Sequence, residues 1–278
     1  MTSRGRALGW SAVFLGGGII ISLAILFVLY QRLALSGGAL SLAAVQSGVM
    51  LVVFGALTWS IGRRRLDVDA EALGLRPAGV GRAGFLRGFA LGALLAALAL
   101  LLGVPAAGAG WQLDGGAPDA WARSFLLTGL VLLPAAFVEE LIFRGAPLVA
   151  LARSFGRMPA IVGLSTLFGL AHLSNPDVTA LGVANIILAG VFLGAVFFTP
   201  GGLWTSTGAH LGWNLTLAGL AAPVSGLPIP MPWLDYAPGG PAWLTGGPFG
   251  PEGGLLATLC LLGGCMVAGR RVTQERLA

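Results

Sequence analysis

Eight apolar stretches follow one another along the chain, and they leave little room for a soluble fold. They are Leu8–Tyr30, Ala39–Ile61, Phe85–Gly108, Ala122–Leu148, Met158–Leu173, Val178–Thr199, Leu203–Leu220 and Gly254–Gly269. A helix that crosses the hydrocarbon core of a bilayer needs about 20 apolar residues. Most of these stretches reach that length; the fifth and the eighth are short. Composition agrees. Charged residues make up 10% of the chain and the mean hydropathy is +0.88, where soluble domains carry about 25% charged residues. The expected fold is all-α: one polytopic integral membrane domain over residues 1–278, with about eight transmembrane helices.

Arginine placement sets the expected orientation. All 16 basic residues are Arg, and they sit at the ends of apolar stretches. That scatter gives no nucleic-acid reading. Cytoplasmic loops collect basic residues. With eight spans and the N-terminus inside, Arg4, Arg6, Arg63, Arg64, Arg65, Arg76, Arg82, Arg87, Arg144, Arg153, Arg157, Arg270, Arg271 and Arg276 fall on or toward the inner side. Only Arg32 and Arg123 fall outside, so both termini are expected in the cytoplasm. The absence of Lys beside high Ala, Gly and Leu points to a GC-rich bacterial genome and a bacterial inner or plasma membrane. The first apolar run is too long for a cleavable signal peptide and reads as a retained span. Cys260 and Cys265 both lie in the last stretch and read as small buried hydrophobes.

On this topology Asp114, Asp119, Asp177, Asp235 and Glu252 lie in outer loops. The outer segment 222–254 holds 8 of the 16 prolines and is expected to be irregular. Trp233, Tyr236 and Trp243 are placed to rest it on the membrane interface. An irregular connection is the simpler reading of this segment, a substrate gate the sharper one.

Against this background a few polar residues stand out, because an ionisable group at membrane depth costs about 2.5–3.5 kcal/mol on insertion scales. The first group is in AAFVEELIFRGAP, residues 135–147. Glu140 and Arg144 are four apart and share a helix face, so they can pair. Glu139 is turned about 100° away and has no obvious partner in its own helix, which suits a general base. A purely structural ion cluster is the plain alternative. The second group is Phe168 and His172, one turn apart at the end of an apolar run, where a lone His is commonly just an interfacial residue. The third is His210 and Asn214, again one turn apart, where polar side chains often only hold helices together.

Jointly the three groups say more. His172 and His210 are the only histidines in the chain, and Glu139 and Glu140 the only acids expected within a span. A carboxylate, two imidazoles and an amide supply a base, a polariser and oxyanion donors, enough to activate water in a cavity. Glu139, His172 and His210 are equally a set that can ligate zinc, and spacing does not choose between these readings.

The three motifs, Glu139-Glu140-x-x-x-Arg144, Phe168-x-x-x-His172 and His210-x-x-x-Asn214, resemble in kind and order those of the type II CAAX prenyl protease and bacteriocin-processing family of intramembrane endopeptidases. The resemblance runs from Phe125 to Leu220, within a core of residues 122–220. It implies a membrane-embedded helical fold of about eight spans that hydrolyses peptide bonds of membrane-associated, lipidated (CAAX-type) or bacteriocin-like peptides. It implies that Glu139 and His172 activate water and that His210 and Asn214 stabilise the oxyanion. Glu140, Arg144 and Phe168 then hold the motifs in shape. The family is often named as metalloproteases. A metal-free mechanism with no cofactor is the favoured expectation, with Zn2+ on Glu139, His172 and His210 as the alternative. Rival classes are a proton-coupled transporter, which intramembrane Glu, His and Arg also suit, and a non-catalytic bacteriocin-immunity protein. The expected partners are a peptide or protein substrate and the lipid bilayer.

Overall fold

In the computed structural model, which describes residues 3–33, 39–75 and 78–274, every apolar stretch is helical. The helices are α1 (Arg4–Ala12), α2 (Gly18–Leu33), α3 (Ala39–Leu57), α4 (Arg63–Arg65), α5 (Ala78–Ala107), α6 (Pro118–Phe143), α7 (Ala146–Phe155), α8 (Arg157–Leu170), α9 (Ala180–Phe197), α10 (Leu203–Gly219), α11 (Ala242–Thr245) and α12 (Leu255–Gln274). Single π-turns, Val13–Gly17 and Thr58–Gly62, join α1 to α2 and α3 to α4 without a break. Arg76 and Arg276, counted above, lie outside the described residues.

Five helical segments are long and apolar enough to cross a membrane, and two shorter apolar helices, Arg157–Leu170 and Leu255–Gly269, accompany them. The chain is a multi-pass membrane protein. Its surface bears this out: Ile20 is 69% exposed and Leu130 70%, while Glu140 is 0% and Arg144 2% exposed. Apolar outside with buried charge inside is the arrangement that a hydrocarbon solvent favours.

The stretch Ala122–Leu148 falls within one candidate span, Pro118–Phe155, but is not one unbroken helix. Helix α6 stops at Arg144 (φ −116°, ψ 2°) and α7 starts after Gly145. A Cβ on Gly145 would lie 2.0 Å from the Leu141 carbonyl oxygen, so only glycine lets the chain turn that closely. The fold is also not purely helical. Gly110–Gln112 (β1) and Asp235–Ala237 (β2) pair antiparallel, and the Trp111 ring packs at a tilt against Tyr236, centroids 5.4 Å apart, while its indole N–H donates to the Leu220 carbonyl. Tyr236 is therefore packed against β1, whereas Trp243 is 60% exposed.

The tightest helix pair is α5 with α10. Small residues repeat on both helices, at Gly84, Gly88 and Gly92 on α5 and at Gly208 and Gly212 on α10. A Cβ at Gly88 would lie 2.0 Å from Thr205 O, and one at Gly212 2.2 Å from Phe89 O. With no side chain between them, the two backbones meet directly, as is common between membrane helices. Helix α10 is thereby held in a fixed rotation about its axis, and α10 carries His210 and Asn214.

Segment 222–254 is ordered against the bundle. Gly226 (φ 84°) packs where a Cβ would meet Pro176 O at 2.1 Å, and Gly250 (φ 91°) where one would meet Pro223 O at 2.3 Å. Its glycines are there for close backbone approach, and Phe249 is fully buried in the core.

Candidate active site

Glu139, His172, His210 and Asn214 line one cavity of about 490 Å3. Three separate pieces of chain bring them there: the end of α6, the turn after α8, and α10, which carries both His210 and Asn214. Pro134 lies inside α6. It supplies no N–H to the helical ladder little more than a turn before the acidic pair.

The two neighbouring glutamates have opposite environments. Glu140 is fully buried and accepts from Arg144 Nη1 at 3.0 Å and from His210 Nδ1 at 2.9 Å, both on Oε1. Arg144 donates its other arm to Gly190 O at 3.2 Å and lies 4.4 Å from the Phe168 ring centroid. The expected Glu140–Arg144 pair is present and ties α6 to α9. Glu139 points into the cavity, with its side chain 34% exposed and Oε2 3.8 Å from His210 Nε2. It has no partner in its own helix, as expected, but it faces an accessible cavity and a histidine, and is not sealed in apolar surroundings.

The hydrogen bonds fix the imidazoles. Phe168 O is a carbonyl and can only accept, so the 2.8 Å contact requires that His172 Nδ1 carries the proton. Its Nε2 then presents a lone pair. Phe168 packs edge-on against His172 at 4.7 Å and against His210 at 6.0 Å, so one ring braces both imidazoles and Arg144. The Glu140 carboxylate likewise accepts a hydrogen bond from His210 Nδ1–H, which leaves Nε2 of that ring facing Glu139. Asn214 is half-buried on the cavity wall and makes no hydrogen bond among the described residues. Its amide is free to meet a ligand.

The site holds an acid that sequence reasoning placed elsewhere. Glu252 precedes α12 in the turn Pro251–Gly253, is 7% exposed, and lines the same cavity. Its carboxylate accepts from Trp213 Nε1 at 3.2 Å, from Ser225 Oγ at 2.9 Å and from the Ser225 backbone N–H. Burial pushes this carboxyl above the ordinary carboxylate range, more than the Ser225 donors and the nearby His172 and His210 pull it down. The sequence signal was faint. Glu252 stands two residues before an apolar stretch, in a run of glycine and proline that reads as loop.

No group of three or more His, Cys, Asp or Glu side chains among the described residues is drawn together closely enough to hold a metal ion. Cys260 and Cys265 are both free thiols, and neither lines the cavity.

Residues 121–216 match the family model of type II CAAX prenyl endopeptidase Rce1-like proteins. That stretch is similar to the Rce1-like domain. Its match ends just after Asn214 and spans all three motifs. The family is one of proteases, which agrees with a cavity lined by a carboxylate and two imidazoles. No curated protein and no solved structure gives a significant match to the chain. Glu252 and segment 222–254 lie beyond the matched region.

Proposed function

We propose that the chain is an intramembrane endopeptidase that cleaves membrane-associated peptides, CAAX-type or bacteriocin-like, in a bacterial plasma membrane, with both termini in the cytoplasm. The observation that carries this reading is the pair of imidazoles that line one cavity with Glu139. His172 has its Nδ1 proton committed to Phe168 O, so its Nε2 is available to accept one. His210 has its Nδ1 proton committed to Glu140, and when protonated it offers Nε2–H as a donor.

The chemistry follows from those roles. Water held by Glu139 and His172 attacks the peptide carbonyl carbon and gives its proton to this pair. The carbonyl oxygen becomes an oxyanion that accepts from His210 Nε2–H and the Asn214 amide. When the C–N bond breaks, the proton returns to the leaving amine. Glu140 and Arg144 take no part in proton transfer; they hold His210 and the end of α6. Among the described residues no arginine lines the cavity and most of its lining is apolar, so it suits an apolar peptide segment.

The test is expression of wild type and Glu139→Ala at equal levels in a null host, followed by comparison of peptide termini across the membrane proteome. New termini with wild type alone are expected; His172→Ala is expected to abolish them as Glu139→Ala does. Normal cleavage by either variant would sink the mechanism. Asn214→Ala is expected to lower turnover by about 10²–10³-fold, the usual loss of one oxyanion donor. Purified enzyme is expected to keep its activity with a metal chelator, and loss restored by added Zn2+ would reverse the metal-free reading.

A further inference from the structure

We propose that Glu252 is a positioning residue of this active site, holding the Asn214 region of α10 and the His172 turn in register across the cavity. The proposal rests on the endopeptidase reading above.

Two chains of hydrogen bonds meet at this carboxylate. One runs through Trp213, whose indole N–H donates to Oε1 at 3.2 Å. Trp213 adjoins Asn214 and lies one turn from His210, so a fixed indole fixes the rotation of the helix that presents both. The other runs through Ser225, which donates its N–H and hydroxyl to Oε2. The Ser225 carbonyl accepts from Asn175 Nδ2 at 2.8 Å, and the Asn175 N–H donates to the His172 carbonyl at 3.1 Å. Glu252 itself is anchored through its backbone. Asn185 on α9 donates to the Glu252 and Gly254 carbonyls at 2.8 and 2.9 Å and accepts from Thr258 on α12 at 2.7 Å.

A buried acid with three donors is more than a residue that fills space. Truncating it would leave the Trp213 and Ser225 N–H groups without acceptors, and an unsatisfied buried donor costs about 1–3 kcal/mol. Both are donors only, and they face different oxygens. A glutamine at 252 must therefore turn its NH2 against one of them. The carboxylate is the one side chain of this shape that satisfies both, and it does so from the cavity wall.

The test is steady-state kinetics on Glu252→Gln and Trp213→Phe, each alone, together, and combined with Asn214→Ala, normalised to folded protein by melting in detergent. Trp213→Phe keeps the ring and removes only the donor, so it tests the connection even if Glu252→Gln folds poorly. The expected result is a fall in kcat of about tenfold to hundredfold for Glu252→Gln with KM changed by less than about twofold. In the Asn214→Ala background the same change is expected to add little, because the group it positions is already gone. Trp213→Phe with Glu252→Gln is expected to be no slower than Glu252→Gln alone, since the amide NH2 then has no opposing donor. An equal further loss in the Asn214→Ala background, or lower melting with unchanged kcat, overturns the proposal and makes Glu252 a structural tie. Wild type without cleavage activity would overturn the endopeptidase reading itself, and this inference with it.

Discussion

Glu139 and Glu140 are adjacent in sequence and identical in chemistry, yet the fold gives them different work. One helical step of about 100° separates a carboxylate enclosed by Arg144 and His210 from one that opens on the cavity. Arg144 makes the difference stable. Its guanidinium spans Glu140 and Gly190 O while its face lies over Phe168, a geometry that a lysine ammonium does not reproduce. Arg144→Ala is expected to cost about 3–5 kcal/mol, the penalty for leaving a buried charge unpaired. It should show as lower expression and melting temperature in detergent. Arg144→Lys is expected to fall between this variant and wild type. A normally melting Arg144→Ala protein would mean that Glu140 is not held by this pair.

At the scale of elements, the contact of α5 with α10 matters most for the site. It depends on missing side chains: Gly88, Gly92, Gly208 and Gly212 let the two backbones touch. Gly92→Val would put a side chain where even a Cβ lies 1.9 Å from Ala209 O. Overpacking commonly costs about 1–3 kcal/mol, and here the obstacle is rigid backbone. Gly92→Val is therefore expected to reach or exceed the upper end of that range in thermal stability, and to reduce cleavage per folded molecule by shifting His210 and Asn214. Gly263→Val is the control, because nothing lies within 4 Å of a Cβ there; melting should be unchanged. The glycine spacing was visible in GFLRGFALG (84–92) and GAHLG (208–212), but glycine is common throughout this chain. Which glycines mark a contact depended on which helices became neighbours.

At the scale of the whole molecule, arginines gather at one end of the bundle. Arg4 reaches Ser154 O and the Phe155 ring, Arg65 the Trp10 ring, Arg153 Asp67 O, and Arg157 the Phe198 ring. Segment 222–254 packs at the ends of other helices, with β2 against β1. If the termini are cytoplasmic, single cysteines at Arg64 and Trp243, in a background without Cys260 and Cys265, are expected to label from opposite sides of intact cells, Trp243 from outside. Labelling of both from one side would discard the alternating topology.

The sequence alone determined that the chain is a helical membrane protein, where its apolar stretches run, and which few polar residues deserved suspicion. These conclusions rest on local cost: a bilayer rejects charge residue by residue, so apolar runs and their exceptions are readable without knowing the fold. The one-turn spacings of Glu140 with Arg144, Phe168 with His172 and His210 with Asn214 were equally local, and each pair shares a face as helix geometry requires. What only the tertiary structure decided were the contacts between elements: the break at Gly145, the Glu140–His210 bond that orients an imidazole, and the recruitment of Glu252 to the cavity wall. Glu252 was hidden because its partners, Trp213 and Ser225, lie 39 and 27 residues away in sequence. No periodicity or spacing encodes such a contact. It exists because loop and helix ends are packed together, and a buried carboxylate is kept there only by the donors that packing supplies.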